Sequence, residues 1–317
     1  MHECKASLFG FIVGDALGVP VEFISREVLK KNRIINMIEN PSRRTTIGYW
    51  SDDTALTLCT IKSITEFKDI NYEDMIERFF QWFKYGTLAV DKKCFGIGKT
   101  TLKAMNNYMK YGYPDYLTIN IANPNDRGNG SLMRILPVAL FLYNKDDLTL
   151  EEKCFVIEKV SELTHQDIIA KRACVFYSLL VFKLLDGQQF IKAYHLAIAD
   201  FKDLFQNQNH AEFKRVLTGE IHDLKEDEIE STGYVIHTLE ACIWCVANHR
   251  TYKDIVLSAV NLGNDTDTIA ALSGGLAGLF VELESIPSHW VNKLREKEVL
   301  DTLIKIFVSF VSLNNLN

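Results

Sequence analysis

The sequence predicts an all-α fold, and three observations carry that prediction. Apolar residues recur at helical spacing in one segment after another. No succession of alternating apolar and polar runs, punctuated by turn residues, marks a sheet. Only six prolines interrupt 317 residues. Two similar acidic stretches bracket most of the chain: Ser51-Asp52-Asp53-Thr54 and Asn264-Asp265-Thr266-Asp267-Thr268. One domain over residues 1–317 is the simplest organisation that lets them meet.

The elements follow in order. Residues 3–17 read as a helix with Leu8, Phe9, Ile12, Val13 and Leu17 at apolar positions. Its small residues, among them Gly10 and Gly14, predict close approach of another helix. Gly18 and Pro20 stop it. Residues 24–50 are mixed, and the Arg43-Arg44 pair reads as solvated. Ser51 is an N-cap for a helix over 52–67. Asp52 and Asp53 then fall in its first turn, where the helix dipole favours negative charge. Residues 72–85 are amphipathic through Met75, Ile76, Phe79, Phe80 and Phe83. The loop Cys94-Phe95-Gly96-Ile97-Gly98 leads into a helix near 99–110. Residues 111–129 are loop-like. After Gly128-Asn129-Gly130-Ser131 a helix runs through Leu132 to Phe141, with Pro137 expected to kink it. Further helices are predicted at about 149–163, 166–185, 189–205, 210–216, 233–248, 251–260, 267–282 and 296–312. The charged run 223–230 carries no assigned chemistry.

Composition narrows the function. Apolar residues make up 47% and charged residues 24%, which suits a soluble globular protein. A net charge of -6 argues against general nucleic-acid binding, which needs a basic surface. Seven scattered cysteines, with no pairing framework, predict reduced thiols and a cytoplasmic protein. Cys242-Ile243-Trp244-Cys245 lies in an apolar helical run and reads as core. No signal peptide is expected, and no membrane span.

The acidic stretches carry the chemistry. Adjacent carboxylates repel each other unless water or a cation intervenes. Oxygen-only donor sets suit hard cations such as magnesium, manganese or calcium. Asp265 and Asp267 are two apart, so one bend aims both at a point, and Thr268 adds a hydroxyl. Each stretch taken singly is the ordinary start of a helix; two of them together suggest a cradle for divalent metal. The turn at Gly128-Asn129-Gly130-Ser131 precedes a helix and exposes N–H groups that suit an anion or a ribose hydroxyl. Gly263, Gly274, Gly275 and Gly278 surround one helix, where each interior glycine costs up to about 1 kcal/mol. That cost implies close backbone packing beneath the site.

Together, in this order, the segments Gly14-Asp15-Ala16-Leu17-Gly18 with Glu22, Ser51-Asp52-Asp53-Thr54, Gly128-Asn129-Gly130-Ser131 with Met133-Arg134 and Pro137, Thr164-His165, Gly233-Tyr234-Val235, and Asn261 through Thr268 to Gly278 resemble the ADP-ribosylglycohydrolase family. The resemblance implies a compact orthogonal multi-helix bundle with two magnesium or manganese ions in a central cleft. It implies metal ligation by Ser51, Asp52 and Asp53 from the first stretch, and by Asp265, Asp267 and Thr268 from the second. It places Glu22 at the metal site with a part in catalysis, and Asn129, Gly130, Ser131, Met133 and His165 on the ADP-ribose pocket. One departure stands out. Gly96 occupies a position where arginine-directed members commonly carry Asp, which argues against ADP-ribosylarginine as substrate.

The implied reaction is hydrolysis at C1″ of ADP-ribose attached to a protein or small molecule, through a centre of oxocarbenium character. Glu22, Asp53 and Asp267 are the candidate bases; Glu22 comes first because a tightly ligated carboxylate is a poor base. The expected partner is an ADP-ribosylated protein or an ADP-ribose-containing small molecule, met by a monomer. The alternatives are an inactive ADP-ribose-binding or structural relative, and a magnesium-dependent nucleotide phosphohydrolase.

Overall fold

The computed structural model describes residues 2–313 except 121, 207 and 209. Its helices are, in order, α1 His2–Gly18, α2 Arg26–Lys31, α3 Asp52–Phe67, α4 Tyr72–Tyr85, α5 Lys99–Tyr111, α6 Asp115–Ile119, α7 Leu136–Tyr143 and α8 Leu150–Glu162. They continue as α9 Ile168–Leu185, α10 Phe190–Leu204, α11 Val235–Asn248, α12 Tyr252–Asn261, α13 Thr266–Ala277, α14 Ser288–Val291 and α15 Lys297–Leu313. Among the described residues the only β pairings are two isolated bridges, Asn40 with Thr45 and Gly128 with Tyr234.

Local chemistry sets the clearest boundaries. Ser51 caps α3, and its hydroxyl accepts from Asp53 N at 3.2 Å. The Asn71 side chain caps α4 by accepting from Asp74 N at 2.9 Å. Thr149 and Glu152 form a reciprocal capping box on α8.

Three expectations need correction. Residues 210–216 form two short 3-10 turns, Ala211–Phe213 and Val216–Thr218, rather than a helix. Pro137 does not kink a helix. The chain makes a 3-10 turn at Leu132–Arg134 and begins α7 at Leu136, so Pro137 sits in a first turn, where its missing N–H costs nothing. The last-cluster helix α13 stops at Ala277 instead of 282. The stretch His2–Val21 is long and apolar enough to cross a membrane by length and composition alone, but 94% of its most apolar window is buried inside the protein, as in a core helix. An apolar helix with no polar face is what a fully enclosed core helix requires.

That enclosed helix is the axis of the fold. α1 packs along α13 more extensively than any other pair of helices. The contact is backbone to backbone: Gly10 lies against Gly274, Gly14 against Ala270 and Gly18 against Asp267. A methyl group at position 14 would overlap the Ala270 carbonyl. The glycines' helix-propensity penalty is therefore the condition for this crossing. α11, α12 and α9 pack around α13, and α3 packs against α4 and α15. Buried apolar residues from Cys4 to Val311 form one cluster. The crossing also delivers chemistry, because its last contact sets the end of α1 against the second acidic stretch.

Candidate metal centre and substrate cleft

Asp15, in the last turn of α1, is fully buried. Its carboxylate accepts from Ser51 N at 3.0 Å, Thr54 N at 3.1 Å and Thr54 Oγ1 at 2.5 Å. These are donors at the start of α3, so one helix caps another across the core. The anchor fixes the turn carrying Asp52 and Asp53. Ser51 Oγ donates to Asp53 Oδ2 at 3.1 Å, and Ser51 lies behind the acids rather than on the cleft wall.

The second stretch is held differently. No side chain caps α13 at Asp265. Asn264 adopts a left-handed backbone, φ 60°, and so does Phe23, φ 66°. The two are tied: Phe23 N donates to Asn264 O at 2.6 Å, and Asn264 N donates to Ile24 O at 2.8 Å. This tether brings Glu22 to the acids. Glu22, Asp265 and Asp267 each offer a carboxylate oxygen, and these oxygens lie within 4.8 Å of one another. Thr268 joins the stretches, donating from Oγ1 to Asp53 Oδ2 at 3.4 Å.

The electrostatics suit a cation. Burial, then the charge of Asp267, pushes Asp52 and Asp53 well above the usual carboxylate range. The same causes raise Asp265 to about 8 and Asp15 to about 7. Glu22 rises to about 9 by burial and Asp267, against the lowering effect of Arg43. Among the described residues only Arg43 forms an ion pair with any of these acids. Asp53 Oδ1 is buried with no hydrogen-bond partner among the described residues. An orphaned acceptor, an all-oxygen donor set and uncompensated negative charge fit a hard divalent ion.

Arg43 corrects the sequence reading, which left it in solvent. It donates from Nη2 to Glu22 Oε2 and from Nη1 to Glu22 O at 3.1 Å. Its guanidinium lies over the rings of Phe23 and Phe95, 5.4 and 5.6 Å from their centroids.

The acids line one end of a cavity of about 560 Å³. The Gly-rich turn forms another wall, held by pairing with the segment before α11: Asn129 N donates to Gly233 O at 3.1 Å and Val235 N to Arg127 O at 3.0 Å. Gly130, Met133 and His165 line the cavity. Asn129 also lines it, with its side-chain amide donating to Asp265 Oδ2 and, at 2.8 Å, to Thr238 Oγ1. Ser131 departs from expectation. It is fully buried, bonded to Ser161 Oγ at 2.8 Å, and absent from the cavity wall. His165 is buried with Nδ1 2.8 Å from Thr164 Oγ1; burial and the nearby Arg134 charge push it down to about 3, so it is neutral near pH 7. Gly96 has φ 87°, and a side chain there would overlap Asp52 Oδ1.

Sequence reasoning missed Asp15, Arg43 and the cleft-lining Lys99, Thr101 and Thr232. Only Asp15 left a signal, an acid set among apolar and small residues in the segment Gly14-Asp15-Ala16-Leu17-Gly18.

Comparison with known proteins places the chain in a family. A family model described as ADP-ribosylglycohydrolase matches residues 2–315. The chain is 30% identical over 305 residues to the ADP-ribosylarginine hydrolase Tri1 of Serratia proteamaculans, covering 96% of this chain and 78% of that one. It is 27% identical over 312 residues to the ADP-ribosyl-[dinitrogen reductase] glycohydrolase of Rhodospirillum rubrum, covering 94% and 92%. A solved structure of an ADP-ribosylglycohydrolase-related protein complex matches at a TM-score of 0.80 and 26% identity, with 98% of each chain covered. With nearly its whole length matched, the chain belongs to the ADP-ribosylglycohydrolase family.

Proposed function

We propose that this protein, acting as a monomeric single-domain enzyme, hydrolyses the bond between C1″ of ADP-ribose and a substrate arginine. The observation that carries the reading is the meeting of two distant acidic stretches, through Thr268 and Asp53, at one end of a cavity whose other wall is an N–H-rich turn. Asp52, Asp53, Asp265, Asp267 and Thr268 would hold two magnesium or manganese ions, with Glu22 beside them. The ions would supply positive charge for ribose hydroxyls and a water. Ser51 would act by fixing Asp53.

The chain's own groups then divide the work. Glu22 Oε2 is taken by Arg43, whereas Oε1 accepts no hydrogen bond among the described residues. That oxygen is our choice to receive a proton from water as its OH adds to C1″. The C1″–N bond breaks and the departing guanidine nitrogen takes that proton from Glu22, leaving unmodified arginine and ADP-ribose. Gly130 and the neighbouring turn would bind diphosphate or ribose oxygens, and neutral His165 would pack behind them.

Arginine is favoured because the chain is 30% identical to an enzyme named for that linkage. Gly96 stands at φ 87°, a backbone that disfavours any side chain, and the nearest atom to a Cβ there is the movable Asp52 Oδ1. The deciding assay measures ADP-ribose release from arginine-, serine- and ester-linked substrates, with magnesium, with manganese and with chelator. Release from the arginine linkage that stops on chelation is expected. No release from any linkage would overturn the proposal.

A further inference from the structure

Phe23 lies beside Glu22 on the cavity wall and is 76% exposed. A phenyl group in left-handed backbone, φ 66°, is unfavourable twice over: the conformation is strained for a bulky residue, and the ring stays in water. The structure nonetheless enforces this placement through the hydrogen bond from Phe23 N to Asn264 O at 2.6 Å. One side of the ring already carries a guanidinium, that of Arg43, 5.4 Å from the centroid. That guanidinium also finds a carboxylate in Glu22 and a backbone carbonyl at 3.1 Å. The rim of the cleft thus shows what holds a planar cation here: an aromatic face next to an acid. Arg43 has its charge met by Glu22, so it does not bar a second cation from the ring's open side.

We infer that the open face of Phe23 is the platform for the guanidinium of the substrate arginine, which makes Phe23 a residue that selects the leaving group. The inference rests on the arginine linkage proposed above. The ring touches the part of the substrate beyond C1″ and none of the ADP-ribose. It therefore acts on substrate affinity and not on product affinity. Stacking against a flat delocalised cation also explains why a phenyl group, rather than a carboxylate alone, stands at the mouth.

The test uses the full chain with magnesium and compares wild type with Phe23→Asn and Phe23→Tyr. Asn tolerates left-handed backbone, so Phe23→Asn removes the ring without adding strain. The expected result for Phe23→Asn is a fall of about tenfold in kcat/KM on ADP-ribosylarginine, mostly through KM. Phe23→Tyr stays close to wild type, and the Kd for ADP-ribose measured by calorimetry is the same in all three. Unchanged cleavage by Phe23→Asn overturns the platform while leaving the arginine linkage standing. An equal loss of ADP-ribose affinity overturns it too, because the ring would then serve the part common to all substrates. Wild-type protein that cleaves another linkage but not ADP-ribosylarginine overturns the linkage reading itself.

Discussion

The two acidic stretches look alike in sequence and are built in opposite ways. The first is held by hydrogen bonds to side chains: Ser51 caps α3 from within, and Asp15 caps it from α1. The second has no side-chain cap at its helix start; backbone tethering and left-handed residues shape its bend, and side chains such as Asn129 and Asn264 brace it. The first is therefore a rigid half, fixed by charge on N–H groups. The second is a bent half, positioned by a neighbouring loop that also carries Glu22.

The strongest attempt to break the comparison removes one acid from each half. Asp53→Asn and Asp267→Asn should each lower ADP-ribose release by about 10²–10⁴-fold while the helical circular dichroism is retained. Wild-type rates from either variant at low magnesium would show that one half suffices. Next, Asp15→Asn should destabilise the protein by about 1–3 kcal/mol in urea unfolding and weaken magnesium binding by about 10–100-fold, because a buried acceptor is lost beneath the ligands. If stability and metal response both persist, Ser51 alone fixes the first half.

A pH series sharpens the contrast between filled and unfilled acids. Glu22, Asp265 and Asp15 have folded-state values raised to about 9, 8 and 7, above the ordinary values of 4.5, 3.8 and 3.8. Over that window the native state binds more protons than the unfolded state, so stability without metal falls as pH rises from about 4 toward 9. Magnesium should reverse the trend, since the cation replaces the protons, and its stabilising effect should grow with pH. Thermal melts with chelator and with magnesium check the sign. The smallest effect is expected from Asn264→Gly. Relief of left-handed strain opposes loss of the Asn264 Nδ2 bond to Ser231 Oγ at 3.0 Å, leaving a change within about 1 kcal/mol.

Much of this was readable before any coordinates. Helical spacing located α3 and α4 at their observed limits, because a strong cap and an unbroken apolar face mark them. The glycines of α13 announced a close crossing, and the crossing partner is α1. What stayed hidden depends on contacts between distant residues. Arg43 resembles any surface arginine until folding sets it against Glu22 and two rings. Asp15 gives no hint of which N–H groups it will cap. Ser131 belongs to a cleft motif, yet the 3-10 turn after it rotates its hydroxyl toward Ser161. Short turns such as Ala211–Phe213 have no periodicity long enough to read.

The crossing of α1 and α13 has a further consequence for how the centre ages and evolves. Most helix pairs meet through interlocking side chains, and these can repack when a core residue changes. Here the spacing is set by two main chains in contact, with nothing compressible between them. Mutations that loosen the surrounding core can lower stability without changing the distance between Gly18 and Asp267. The centre is thereby insulated from drift elsewhere in the molecule, and it is exposed at one place only: a single added methyl along that seam should do more harm than a larger change almost anywhere else in the core.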